Sequence, residues 1–436
     1  MPKPYTISFI GAGYVGLPWA VAFADLGHLT YVLDTDARKI DRIKKGDCPI
    51  VEAGLPEALK KVLATKKLIP TNNYKDSIPY SKVVFICVGT PESKDGAADL
   101  SYVYSAAQEI AKNLGPGFTV VVNRSTVPPG TAAEVAKIIG KTVPRGRFAV
   151  VSSPEFLRQG HAMEDTKTPS RFLIGARDSK AIKIMKTIYK SWPSPALIMS
   201  ETSAELVKYA SNAYLAARIV FADQIANLAE AVKGDVLDVL TGVGLDSRIG
   251  DHFWYPGLGY GGYCFPKDVK ALGAVYQKNH HLEPNLFSYL DDLNSGRIKR
   301  ATAFLKQKMG GLKGKKIAVW GLSAKPESPD MRGATPVDLI KELLKQGATV
   351  SVFDPYVGKE AKKCIPTQVA VKTDYLKTVV VADALVIPTE HQVFLKYDLK
   401  KVKAAMRGCL FFDAKRMFNP QTVRKLGFEY LGTGLG

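Results

Sequence analysis

Residues 5–34 read YTISFIGAGYVGLPWAVAFADLGHLTYVLD. A short apolar run, 5–10, meets Gly11-Ala12-Gly13-Tyr14-Val15-Gly16, and a helical stretch follows through Phe23 and Leu26. A second run, 29–33, ends at Asp34. Strand, glycine turn, helix, strand and carboxylate in that order are the pattern of a dinucleotide-binding unit. Gly11 permits the tight turn, Gly13 lets backbone approach a pyrophosphate, and Gly16 lets the helix pack on the strand. The helix N-terminus stabilises the anion. Asp34 stands 18 residues past Gly16. A carboxylate there accepts ribose hydroxyls and repels a 2′-phosphate, so NAD is expected rather than NADP. Lys39 and Arg38 are the residues that could neutralise a 2′-phosphate instead. Taken alone, the hexapeptide could also be a glycine-rich turn with no ligand.

Outward from this unit the alternation continues. The runs 83–88, 118–123, 147–152 and 171–174 are strand candidates, separated by helical patterns such as 102–113. Strands alternating with helices predict a parallel sheet in a doubly wound α/β domain over residues 1–200. Residues 201–233 hold no Gly or Pro, and Leu206, Tyr209, Ala213, Ala217, Val220, Ile225 and Leu228 recur at helical spacing. That predicts one helix of about nine turns. Helices over 235–241 and 267–280 extend a helical middle domain across 201–310. After Gly310-Gly311 the alternation returns, with strands over 315–322, 348–355, 382–389 and 409–414 and a helix over 335–346. Residues 311–436 are therefore expected to form a second α/β domain.

The 436 residues suit about three domains, and 46% hydrophobic with 23% charged residues is ordinary for a globular chain. No apolar run approaches the ~20 residues of a membrane span. The start passes straight into the strand-and-glycine pattern, so no signal peptide is expected. The five cysteines are widely spaced and none forms a CxxC pair, which argues against a metal site or disulfide framework. A reduced cytoplasm is the expected compartment. The formal charge of +19 invites a nucleic-acid reading. However, the basic residues are spread along the chain without interleaved aromatics, so an anionic small molecule is the expected partner.

Cys264 lies in Gly257-Leu258-Gly259-Tyr260-Gly261-Gly262-Tyr263-Cys264-Phe265-Pro266-Lys267-Asp268. A lone cysteine is usually a small buried hydrophobe. Here four glycines allow close approach of a ligand, while Lys267 and Asp268 could tune a thiol and manage protons, which suits a nucleophile. Lys208 and Asn212 stand at i and i+4 on one face of the long helix. They are either solvated or aimed at an oxygen that becomes anionic. Glu155, behind Ser153-Pro154, could be a helix-start carboxylate or a base.

The chain resembles the UDP-glucose/GDP-mannose dehydrogenase family over nearly its whole length. The likeness rests on GAGYVGL (11–17), ICVGTP (86–91), STVPPGT (125–131), SPEFLRQG (153–160), KYASNAYLA (208–216), GYGGYCFPKD (259–268) and GLSAKPESPDMR (321–332). It implies two Rossmann-like domains joined by a helical domain, a homodimer or larger assembly through the long helix, and four-electron oxidation of a nucleotide sugar with NAD. It also implies roles. Cys264 is the nucleophile, Lys208 and Asn212 face the oxyanion, Glu155 activates water for thioester hydrolysis, and Thr126 and Asp268 hold a water for proton removal. Gly11, Gly13, Tyr14, Val15, Gly16, Asp34, Lys39, Thr90, Thr126, Gln159, Lys267 and Arg332 fall to the cofactor. Glu155, Phe156, Leu157, Arg158, Lys208, Asn212, Arg248, Phe253, Trp254, Tyr255, Pro256, Gly257, Gly261 and Lys325 fall to the substrate, Arg248 reaching it from a neighbouring subunit. No metal, nucleic acid or membrane is implied.

Four positions depart from the family pattern. Gln159 stands where a second Glu is common, Tyr263 replaces a small Ser, and Ser323-Ala324 replace Ala-Phe. Within the family, GYGG before the cysteine and CFPKD after it favour UDP-glucose over UDP-N-acetylhexosamines and GDP-mannose. A two-electron β-hydroxyacid dehydrogenase would need neither the thiol nor residues 315–436. A non-catalytic nucleotide-sugar binder would tolerate loss of both Cys264 and Lys208.

Overall fold

The structure, a computed structural model, describes residues 4–93, 96–280 and 285–436. They form two compact units that divide between Ser211 and Asn212. The first carries eight strands: β1 (Thr6–Ile10), β2 (Leu29–Leu33), β3 (Leu68–Thr71), β4 (Val83–Ile86), β5 (Thr119–Asn123), β6 (Phe148–Ser152), β7 (Phe172–Gly175) and β8 (Ala196–Met199). Their order is β3-β2-β1-β4-β5-β6-β7-β8. Strands β1 to β6 run parallel, and β7 turns antiparallel against β6 while pairing parallel with β8. Both faces are covered, which is why the central strands read as unbroken apolar runs. On one face Phe9 stacks on Phe85 at 4.6 Å, among Trp19, Phe23, Phe172 and Trp192. On the other, Ile10, Ile86 and Val121 meet Ala107 and Ile110 of the helix Ser101–Asn113.

The predicted long helix is present as Glu201–Val232, 32 residues. The Ser200 hydroxyl accepts the Ser203 N–H at 3.1 Å and caps its start. The second unit continues with helices Val236–Gly244, Phe265–His280 and Leu286–Lys308. It ends in a six-stranded sheet of β9 (Lys316–Trp320), β10 (Thr349–Phe353), β11 (Ala370–Val371), β12 (Ala384–Ile387), β13 (Leu410–Asp413) and β14 (Glu429–Gly432). This sheet is parallel throughout, in the order β11-β10-β9-β12-β13-β14. That is the Rossmann order, with a switch point where β9 lies beside β12. Leu305 and the helix Thr335–Lys345 cover one face, and Phe394, Val402 and Val423 the other. Among the described residues, no helix is long and apolar enough to cross a membrane.

The two units repeat one device. Asp34, after β2, accepts the Ala12 N–H at 2.9 Å. Asp354, after β10, accepts the Leu322 N–H at 2.7 Å. In each, a carboxylate behind the second strand fixes the turn behind the first.

Candidate active site

In the first unit the glycine turn follows β1. Gly11 has φ +102°, and a Cβ there would lie 2.5 Å from the Cys87 carbonyl oxygen. A Cβ on Gly16 would lie 1.8 Å from the Gly11 carbonyl oxygen. Packing alone therefore demands glycine at both. Gly13 differs, because no protein atom lies within 4 Å of its Cβ position. That open space leaves room for a pyrophosphate to approach the backbone. Tyr14 and Val15 are half-buried beside it. The Asp34 carboxylate is aimed by the N–H groups of Ala12 and Asp36 and by Lys39 Nζ at 2.7 Å. These groups fit a dinucleotide with an unphosphorylated ribose. The Thr90 hydroxyl donates to the Thr126 carbonyl at 3.0 Å, which ties the loop after β4 to the loop after β5. Burial pushes the Cys87 thiol up to about 12, so this cysteine is a packing residue.

Also in the first unit, Glu155 follows β6 and is buried with Lys208, whose Nζ lies 3.3 Å from Oε1. The Leu157 N–H donates to the second carboxylate oxygen. Lys208 and Arg171 lie over the Phe156 ring at 5.2 and 3.8 Å, giving the pair an aromatic floor. Arg158 is exposed and forked on Asp165, and Gln159 is half-buried. Glu205, one turn before Lys208, accepts the N–H groups of Gly130 and Ala132 at 2.7 and 2.8 Å and the Ser152 hydroxyl at 3.0 Å. It braces the loop that carries Thr126, and sequence reading did not single it out.

In the second unit, Cys264 is exposed and immediately precedes the helix Phe265–His280. Its carbonyl accepts the Asp268 N–H at 3.0 Å, which makes it the capping residue. A helix N-terminus favours an anion. The Lys267 ammonium lies on Asp268 Oδ1. Asn212 Nδ2 donates to Asp268 Oδ2 at 2.6 Å, so Asn212, Lys267 and Asp268 form one buried cluster.

The loop before Cys264 is gripped from two helices. Asp223 accepts the Gly257 N–H at 2.7 Å, and Arg297 donates to the Gly257 carbonyl at 3.0 and 2.6 Å. Asn294 accepts the Tyr260 N–H at 2.7 Å and returns a bond to the Tyr260 carbonyl at 3.0 Å. A Cβ on Gly259 would lie 2.4 Å from Asn294 Oδ1, and one on Gly261 would lie 2.6 Å from the Gly333 carbonyl. Burial raises the Asp223 carboxyl to about 6, against the opposing pull of Arg297. Asp223 is the one acid in the apolar stretch 219–229, a signal that could have marked it.

The remaining residues are dispersed. Arg248 is exposed and forked on Asp246, and Arg332 is forked on Asp330 with its guanidinium 5.0 Å from the Tyr263 ring. Trp254 Nε1 donates to the Gly250 carbonyl at 2.6 Å, beneath Arg218. Phe253 adopts φ +60°, Tyr255 is exposed, and Pro256 is buried beside Gly257. Lys325 is exposed. Among the described residues, no group of three His, Cys, Asp or Glu side chains could hold a metal ion.

Comparison with known proteins places this geometry. Three models of the UDP-glucose/GDP-mannose dehydrogenase family match: its NAD binding domain over 5–193, its central domain over 202–296 and its UDP binding domain over 318–420. A UDP-glucose 6-dehydrogenase of Rhizobium meliloti is 43% identical over 436 residues, covering 98% of this chain and 99% of its own. A UDP-glucose dehydrogenase structure from Pyrobaculum islandicum superposes with a TM-score of 0.93 at 34% identity, over 100% of this chain and 99% of that one. A UDP-D-ManNAc dehydrogenase structure from Pyrococcus horikoshii gives 0.88 at 28% identity, over 99% of each. The motifs, the two Rossmann-like sheets and the full-length likeness agree, and the chain belongs to the UDP-glucose/GDP-mannose dehydrogenase family.

Proposed function

We propose that this protein oxidises the C6 alcohol of UDP-glucose to the carboxylate, with Cys264 holding the sugar between the two oxidations. The observation that carries the reading is an exposed thiol at a helix N-terminus, in a glycine loop gripped at Gly257 and Tyr260. Bound NAD⁺ supplies the hydride acceptor for each oxidation. In the first, C6 gives up a hydride and its hydroxyl a proton, through a water held by Thr126 and Asp268, leaving an aldehyde. The Cys264 sulfur then bonds to C6, and the carbonyl oxygen takes a proton under the charge of Lys208 and the amide of Asn212. Loss of a second hydride and a proton makes a thioester. Glu155 takes a proton from water as it attacks, the C–S bond breaks, and the thiolate leaves as the carboxylate forms.

The exposed Arg248 and Lys325 are assigned to the diphosphate and sugar, as charge-assisted donors. Phe156, Leu157, Arg158, Phe253 to Gly257 and Gly261 are assigned to the nucleotide sugar. Gln159, Lys267 and Arg332 are assigned to the cofactor side. We divide the chain functionally into 1–200 for NAD, 201–310 for assembly and 311–436 for the UDP-sugar. A reducing compartment, the cytoplasm, suits a thiol that acts as a nucleophile. The UDP-glucose reading is favoured over other nucleotide sugars by the name of the 43%-identical relative and by the GYGG and CFPKD motifs. NADH formation compared for UDP-glucose, UDP-GlcNAc and GDP-mannose tests it. UDP-glucose is expected to give the highest kcat/KM, and NAD⁺ to exceed NADP⁺ by at least about 100-fold, since Asp34 opposes a 2′-phosphate. Comparable values for the two cofactors would remove the Asp34 argument.

A homodimer or larger assembly is the expected state. Tyr214, Phe221 and Leu228 recur every seven residues on the long helix and are 63%, 49% and 57% exposed, an apolar stripe that a partner would cover. Light scattering at micromolar concentration is expected to give at least twice the 47.4 kDa chain mass. A monomer would remove the assembly and with it the role of Arg248 across subunits.

A further inference from the structure

In the second unit, the turn after β9 carries Lys325 in Gly321-Leu322-Ser323-Ala324-Lys325-Pro326-Glu327. Its backbone is held at several points, the Leu322 N–H donating to Asp354 at 2.7 Å and the Ala324 N–H to the Asp330 carbonyl at 2.8 Å. The Ser323 hydroxyl donates to the Lys325 carbonyl at 2.7 Å, and the Thr389 hydroxyl donates to the Ser323 carbonyl at 3.0 Å. Pro326 has no N–H, so the first donor after Lys325 is the Glu327 N–H. That N–H donates to His391 Nδ1 at 2.9 Å. Glu327 has φ +52°, a conformation that a residue with a side chain keeps only when its surroundings hold it there.

The bond fixes the state of the imidazole. A ring nitrogen that accepts an N–H carries no proton, so the His391 proton is on Nε2. Nε2 lies 3.1 Å from Asp354 Oδ2 and 3.3 Å from the Ser323 hydroxyl oxygen. Asp354 is in turn fixed by the N–H groups of Leu322, Tyr356 and Val357. One fully buried ring thus ties both ends of the Lys325 segment, at Ser323 and at Glu327.

We propose that His391 is a positioning residue for Lys325, and that a proton on Nδ1 releases the segment. The inference rests on Lys325 meeting the UDP-sugar, as proposed above. With both nitrogens protonated, two N–H groups would face each other at Glu327, and the turn must open. The ionisable groups around the ring are Asp354, the Glu327 carboxylate, which accepts the Gln392 N–H at 3.1 Å, and the Tyr356 ring at 4.9 Å. Glu390, the preceding residue, is paired with Lys415 at 3.5 Å. Acid is therefore expected to weaken substrate binding through this residue.

The test compares KM for UDP-glucose from about pH 8 to about pH 5.5 in the wild type, His391→Asn and His391→Ala. In the wild type, KM for UDP-glucose should rise roughly three- to tenfold on acidification, the range expected for one hydrogen bond, with KM for NAD⁺ unchanged. His391→Asn, whose amide oxygen can accept the Glu327 N–H without titrating, should remain near the wild-type KM at pH 8 and lose the acid rise. His391→Ala should show the raised KM throughout. An acid rise that persists in His391→Asn, or no rise in the wild type, overturns the proposal. The ¹⁵N resonances of the His391 ring, assigned by their loss in His391→Asn, give a readout free of turnover. They should report a neutral ring protonated on Nε2 at pH 8, and a proton on Nδ1 there would overturn the proposal too. If the wild type makes no NADH from UDP-glucose, the substrate reading fails and the resonances alone decide the tautomer.

Discussion

Cys264→Ser is expected to lose steady-state turnover by on the order of 1,000-fold or more while still binding NAD⁺ and the UDP-sugar. A serine hydroxyl remains protonated at neutral pH and attacks an aldehyde poorly, whereas sulfur is the intrinsically stronger nucleophile. Oxygen also makes the poorer leaving group, so an ester formed there hydrolyses more slowly than a thioester. Cys264 is exposed, and its carbonyl accepts the first bond of the following helix. The substitution should therefore leave the fold and thermal stability unchanged within about 0.5 kcal/mol, as for a surface change. Intact-protein mass spectrometry after mixing with substrate and cofactor should show no thioester. Aldehyde released after one hydride transfer, or a slowly decaying adduct on serine, agrees with the mechanism. Full activity in this variant would end the thiol mechanism and return a two-electron dehydrogenase to first place.

Glu155→Gln should fail at a different step. Both hydrides leave once, and then the thioester persists because no carboxylate takes the proton from water. A burst of NADH, at about two per active site, should precede a steady state slower by roughly 100- to 10,000-fold. Mass spectrometry should then find the sugar acid on Cys264. Glu155 also neutralises buried Lys208 at 3.3 Å, so the variant leaves an ammonium short of its counter-charge. The amide oxygen can still accept from Lys208 or the Leu157 N–H. A loss of stability on the order of 1–3 kcal/mol is expected, read from the denaturant midpoint. If the burst is absent although the protein is folded, Glu155 acts before the thioester forms.

The central strands were legible because strands covered on both faces are continuous apolar runs, as in β1, β4, β5, β9 and β12. The four strands missed, β3, β8, β11 and β14, are the four sheet edges. An edge carries a shorter or more polar signal: β3 holds Pro70, which an edge tolerates, and β11 has two residues. The helix Leu286–Lys308 was also missed, because Asp291, Asp292, Asn294, Gly296 and Arg297 interrupt its apolar pattern.

The same helix explains what was missed at the site. Cys264, Glu155 and Lys208 lie in contiguous motifs that can be read along the chain. Asn294, Arg297, Asp223, Glu205 and His391 act on backbone atoms of other segments, from 34 to 75 residues away. A bond to a backbone N–H or carbonyl leaves no pairing of residue types to recognise.

The central claim is that one thiol carries one sugar through two oxidations. Its most direct test is the amount of NADH formed for each UDP-glucose consumed by the wild-type protein, with the product identified by chromatography. Two NADH and one UDP-glucuronate, with no free aldehyde at any time, is the expected result. One NADH per sugar with the aldehyde accumulating would contradict it.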